Sequence, residues 1–194
     1  MQINFSKGFS LVELIIVIAI TTVLLGVITY SYRTANNNLA LSSAAQEVAI
    51  AIRQAQTYAI SVKEYAPNSG QFDYAYGIFF SPSFNPNYII FADKDVDGVF
   101  SLGDGCGTVS TECVELFTLR NNVNITGVCN ASTCYSSGSR DLTVIFKRPN
   151  PNATLRLYAS GIVTNPSTGK IVLTSPQGTT VAVTIQSTGQ VLVQ

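Results

Sequence analysis

Gly8-Phe9-Ser10-Leu11-Val12-Glu13 opens the one long apolar run of the chain, and its reading decides the fold. From Phe9 to Tyr30 there are 22 residues and a single charge, Glu13. At a rise of about 1.5 Å per residue, a helix of that length crosses a hydrocarbon core of roughly 30 Å. The expectation is a membrane helix with an acid near its start. A carboxylate at membrane depth costs roughly 2.5–3.5 kcal/mol on insertion scales, so it marks a functional position and calls for a neutralising partner. No Lys, Arg or His lies inside the run. The partner must be a new charge, such as a freshly cut amino terminus, or a group on another chain. A cleaved secretory signal would carry an apolar region of about 7–15 residues with a small-residue cleavage site after it. Here the run is longer and Gly8 precedes it.

Outward from that run, the sequence turns polar without losing helical period. Leu41, Ala45, Val48, Ile52, Ala55, Ala59 and Val62 step by alternate fours and threes and share one stripe, which Glu47, Arg53, Gln54, Gln56 and Lys63 avoid. The alanines make a shallow seam suited to lying close against a sheet. Pro67-Asn68-Ser69-Gly70 ends the pattern. The spine is thus expected over Phe9 to Glu64, with a membrane half at 9–33 and an amphipathic half at 34–66. Asn36-Asn37-Asn38 is the weak point between them, and Gly26 loosens the first half.

Over 67–194 the period becomes strand-like. Eight stretches rich in Val, Ile, Thr, Tyr and Phe (72–80, 88–92, 114–119, 142–147, 154–159, 171–174, 179–186 and 190–193) alternate with Pro, Gly, Asn and Ser clusters. Ser187-Thr188-Gly189 reads as a tight hairpin joining the last two. No second helical pattern exists to build βαβ units. The fold class is α+β, a long helical spine packed on an antiparallel sheet or small sandwich.

Lys plus Arg equals Asp plus Glu at 11 each, so net charge makes no case for nucleic acid. The charges are uneven: Glu64 to Glu115 holds eight acids against Lys94 alone, while Lys147, Arg148, Arg156 and Lys170 follow Leu142 with no acid. That is either a complementary surface for subunit stacking or scatter. Lys7 before the apolar run and Arg33 after it leave orientation open. Cys106, Cys113, Cys129 and Cys134 lie in loop-like sequence and suggest disulfides in an oxidising space. Of three connectivities, Cys106 with Cys113 and Cys129 with Cys134 close the short local loops; crossed pairing stays open. The spacings fit zinc poorly.

Asp93-Lys94-Asp95-Val96-Asp97-Gly98-Val99-Phe100-Ser101-Leu102-Gly103-Asp104 has the spacing of a calcium loop. Asp93, Asp95 and Asp97 supply oxygens at positions 1, 3 and 5, Gly98 the sharp turn, Val99 a backbone carbonyl, Ser101 position 9 and Asp104 position 12. Asp104 is shorter than the usual bidentate Glu, and the flanks read as strand and loop rather than helices. The competing reading is an acidic β-turn of the D-x-D-G kind with a solvated Asp-rich tip. Catalysis finds little support. The chain has no His, which removes the Ser-His-Asp and Cys-His arrangements, and it is expected not to be an enzyme.

Lys7-Gly8-Phe9-Ser10-Leu11-Val12-Glu13-Leu14 resembles the class III signal of type IV pilins and type II secretion pseudopilins. That resemblance implies a leader at 1–8, prepilin peptidase cleavage between Gly8 and Phe9, N-methylation of Phe9, and an assembly role for Glu13. It further implies a pilin-like fold, insertion in the inner membrane by a single pass, a C-terminal domain in the periplasm or outside the cell, and partners in other pilins and an inner-membrane assembly platform. Val181 to Ile185 with Gly189 to Val193, and Arg53 to Ala59 on the helix, resemble the minor subunits grouped as GspH/FimT. A filament-tip adhesin or DNA-binding minor pilin, and a major pilin, are the alternatives.

Overall fold

The computed structural model describes residues 9–61, 63–65, 70–100, 106, 112–136 and 140–194, leaving aside the side chains of Arg33 and Thr34. The chain divides between Asn37 and Asn38 into two units.

The first unit is helical. Helix α1 spans Leu11–Ile60 and carries Glu13 in its first turn. From Leu11 to Tyr32 every described side chain is exposed, and an 18-residue window in this helix reaches a mean hydropathy of 2.8. A helix apolar all round is stable where lipid or other helices surround it. Its few hydroxyls are compatible with that setting: Thr21 donates to the Ile18 carbonyl, Thr22 to those of Ile18 and Ala19, and Thr29 to that of Leu25.

In the second unit the same helix has one buried stripe. Leu41, Ala45, Val48, Ile52, Ala55 and Ala59 are all buried, and Ala44, Ala49 and Ala51 widen the seam. Val62 lies outside the described residues. The helix stops at Ile60, short of the Glu64 that periodicity suggests. Beyond it the chain's polar groups turn to the β-domain: Tyr76 donates to the Lys63 carbonyl (2.9 Å) and the Tyr65 amide to that of Gln71 (3.1 Å). Lys63 also covers the Tyr58 ring at 3.3 Å.

Among the described residues eleven antiparallel strands follow: β1 Ala75–Phe80, β2 Asn87–Asp93, β3 Cys113–Thr118, β4 Asn124–Cys129, β5 Cys134–Tyr135, β6 Arg140–Lys147, β7 Asn150–Ala159, β8 Ile162–Thr164, β9 Thr168–Thr174, β10 Thr180–Gln186 and β11 Val191–Val193. They form two sheets, ordered β3-β2-β1-β6-β7-β8 and β11-β10-β9-β4-β5. Both share one core with the helical stripe: Ile78, Phe80, Val144 and Leu155 from the first sheet and Ile125, Ile171, Leu173, Val183 and Ile185 from the second. Strands β4, β5 and β8 fall where the sequence reads as loop. β1 starts at Ala75 rather than Phe72, because Arg148 donates to the Phe72 carbonyl and holds Asp73 in an ion pair at 2.6 Å. The β10–β11 hairpin turns at Gly189 (φ 83°), where a Cβ would stand 2.6 Å from the Pro151 carbonyl oxygen.

The first sheet is buried on both faces at β1 and β2. Phe79, Ile89, Phe91 and Ile145 form a second cluster, closed by Phe100 from the acidic loop and by Cys113. Gly77 makes room for it, since a Cβ there would meet the Phe91 ring at 2.6 Å. The loop is therefore a cover over the sheet and not a free tip.

Candidate functional site

At the amino-terminal end, Phe9 is 77 % exposed and the Leu14 amide donates to the Ser10 carbonyl (3.2 Å), so helical bonding starts at Ser10. Glu13 stands one turn in, among Leu11, Val12, Leu14 and Ile15, all exposed. The leader 1–8, and with it Gly8, lies outside the described residues.

The acidic loop is the second constellation. Asp93 ends β2 and is buried, whereas Asp95 and Asp97 are exposed. Each carboxylate accepts from a backbone amide: Asp93 Oδ1 from Gly98 (3.2 Å), Asp95 Oδ1 from Asp97 (3.2 Å) and Asp97 Oδ1 from Val99 (2.7 Å). Asp side chains that accept from nearby amides stabilise a tight turn, and the burial of Asp93 departs from a fully solvated tip. Ser101 and Asp104, expected at positions 9 and 12, lie outside the described residues.

The residue that spacing missed is Glu112. β3 runs beside β2, the Ala92 amide donates to the Glu112 carbonyl (2.9 Å), and Glu112 Oε1 accepts from the Lys94 amide (2.9 Å). Oxygens of Asp93, Asp95 and Glu112 all lie within 4.8 Å of one another. Burial pushes the Glu112 carboxyl up to about 7, and the charges of Asp95 and Asp93 add to that. Burial likewise raises Asp93, with Asp95 and Asp97 contributing. Three carboxylates whose oxygens converge this closely form a hard-oxygen set of the kind a calcium ion takes. The nearby acid before Cys113 was the available signal, but only the β2–β3 pairing makes it relevant.

Disulfides close Cys106–Cys113 and Cys129–Cys134, the local pairs. The first closes the chain between Phe100 and β3; the second bridges β4 and β5. Charges that looked segregated along the sequence meet within the fold: Arg148 pairs with Asp73, and Arg156 donates to the Asp97 carbonyl. Two of the four C-terminal cations are thus occupied, which weakens them as a nucleic-acid surface.

On the helix, the Arg53 to Ala59 stretch buries Ala55 and Ala59 and braces the fold with its glutamines. Gln54 Nε2 donates to Glu115 Oε2 on β3, and Gln56 Nε2 to the Pro151 carbonyl on β7, both at 2.9 Å.

An apolar helix that starts at Leu11, just after Phe9, and carries one acid in its first turn defines a class, and comparison with known families agrees. Residues 3–29 match the prokaryotic N-terminal methylation motif, which supports a precursor of the type IV pilin and pseudopilin kind. That motif implies processing by a prepilin peptidase and assembly with other pilins. Comparison with the curated proteins and with the solved structures gives no match.

Proposed function

We propose that the chain is a minor pilin or pseudopilin of the GspH/FimT type, a structural subunit of a type IV pilus or type II secretion pseudopilus. The observation that carries this is the methylation motif at 3–29 lying over the start of the exposed apolar helix. The tight β10–β11 hairpin and the Gln54 and Gln56 braces support the narrower assignment. Two disulfides favour a domain in the periplasm or outside the cell. The helix waits in the inner membrane after cleavage between Gly8 and Phe9, and the assembly platform then draws it into the filament. There the methylated amine of Phe9 on one subunit neutralises Glu13 of its neighbour, offsetting the cost of a carboxylate among apolar helices. The test is Glu13→Ala followed through sheared filaments. The variant should be cleaved like the native chain yet largely absent from the filament, and at native levels there it would contradict the pairing. The native chain should be a small fraction of the main subunit; a major share would make it the major pilin.

The same reading gives the acidic loop a calcium ion held by Asp93, Asp95 and Glu112, whose positive charge offsets the cost of ionising the buried Asp93 and Glu112. Thermal unfolding with calcium and with chelator checks this. A midpoint several degrees higher with calcium is expected, and equal midpoints would remove the ion from the account.

A further inference from the structure

The acidic loop crosses the outer face of β6 and β7, and one side chain there has no counterpart in the calcium spacing. Arg156 lies on β7 opposite Thr143, on the face away from Leu155 and Leu157. An arginine half-buried on a sheet face is costly unless it serves a charge or carbonyl nearby. Its Nη1 donates to the carbonyl of Asp97. Its guanidinium lies against Gly98: a Cβ built there would be 2.9 Å from Cζ and 3.1 Å from Nε. Gly98 is at φ 71° and Val96, two residues earlier, at φ 64°. The left-handed region is unfavourable for a β-branched residue, so the loop holds a path that Val96 would not choose by itself. Something must fasten it. Asp93 and Arg156 also line one cavity of about 150 Å³ together with Lys147 and Thr154. Among the described residues the buried Arg156 Nε has no hydrogen-bond partner.

We propose that Arg156 is a built-in fastener, a positioning residue that holds the loop in its ion-ready path before any ion arrives. Its guanidinium grips the backbone at Asp97. Gly98 is glycine because its φ of 71° favours one and because the guanidinium and the Ile145 side chain occupy the space a side chain would need. The inference rests on the calcium reading only for what the ion adds afterwards.

The test is hydrogen exchange on the full chain in detergent micelles, following the Gly98 and Val99 amides in EDTA and in calcium. The native chain should be protected in EDTA. Arg156→Leu should exchange at least tenfold faster there, and Arg156→Lys by a smaller factor, while the β9 amides of Ile171 and Leu173 stay unchanged. Equal protection in Arg156→Leu and native chain, or a native loop already open in EDTA, overturns the fastener. If Arg156→Leu disturbs β9 as well, Gly98→Ala takes its place, since its Cβ displaces the guanidinium. It should accelerate the Val99 amide likewise, and native protection there overturns the proposal. Calcium should restore protection to Arg156→Leu. An EDTA difference that calcium does not repair sustains the fastener and removes the ion.

Discussion

Ile18 and Ile52 sit on the same helix, are the same residue, and have opposite surroundings. Ile18 is 53 % exposed with apolar neighbours on every side, whereas Ile52 is fully buried against two sheets. The difference teaches that one element answers to two solvents. Before Asn37 the helix shows no preferred face, because lipid or other helices meet it all round; after Asn38 it shows a single alanine-rich stripe, because only one side meets a sheet.

The sharpest way to break that comparison is to place the same charge in both halves. Ile52→Glu buries an unpaired carboxylate and should destabilise the second unit by at least about 4 kcal/mol, leaving no cooperative thermal transition. Ile18→Glu should leave that transition unmoved but cost roughly 3 kcal/mol of membrane insertion, read as loss from the membrane fraction. A native melt for Ile52→Glu would mean the stripe is not core. Next in size, Cys129→Ser with Cys134→Ser removes a local loop and should lower the stability of the second unit by about 2 kcal/mol, with membrane retention unchanged. Denaturant unfolding reads the first and fractionation the second.

The smallest effect concerns Glu112. Its carboxyl is held at about 7 in the folded chain against an ordinary value of 4.5, so the ion-free fold binds the extra proton between those values. Stability in chelator should therefore fall as pH rises from about 4.5 to 7 and level off above. Glu112→Gln should flatten that fall, with a gain on the order of 1 kcal/mol at pH 7.5 in chelator, and should abolish any gain from calcium. Melting curves across pH decide it, and a native-like slope in the variant would assign the proton elsewhere.

Much of this fold is legible in the sequence where one local rule suffices. The apolar run needs only length, the Leu41 to Ala59 stripe only the 3.6-residue period, and the last hairpin only Gly189 between two β-branched runs. β4 was hidden because Asn124, Thr126 and Gly127 break its pattern at a bulge, and β8 because Ile162-Val163-Thr164 is too short to declare itself. The acidic loop shows the limit most clearly. Asp93 and Asp95 follow from spacing, but Glu112 joins them only because its backbone bonds to β2 at Ala92. Phe100 reads as a spacer between ligands until Phe79 and Phe91 are seen beneath it, and Arg156 is 59 residues from the carbonyl it holds.

The central claim is that cutting before Phe9 turns a membrane-anchored precursor into a filament subunit. Mass spectrometry of sheared filaments, following the peptide that begins at Phe9, tests it most directly. The account predicts an N-methylated Phe9 at a small fraction of the main subunit. An uncut chain still carrying Met1, confined to the membrane and absent from filaments, would contradict it.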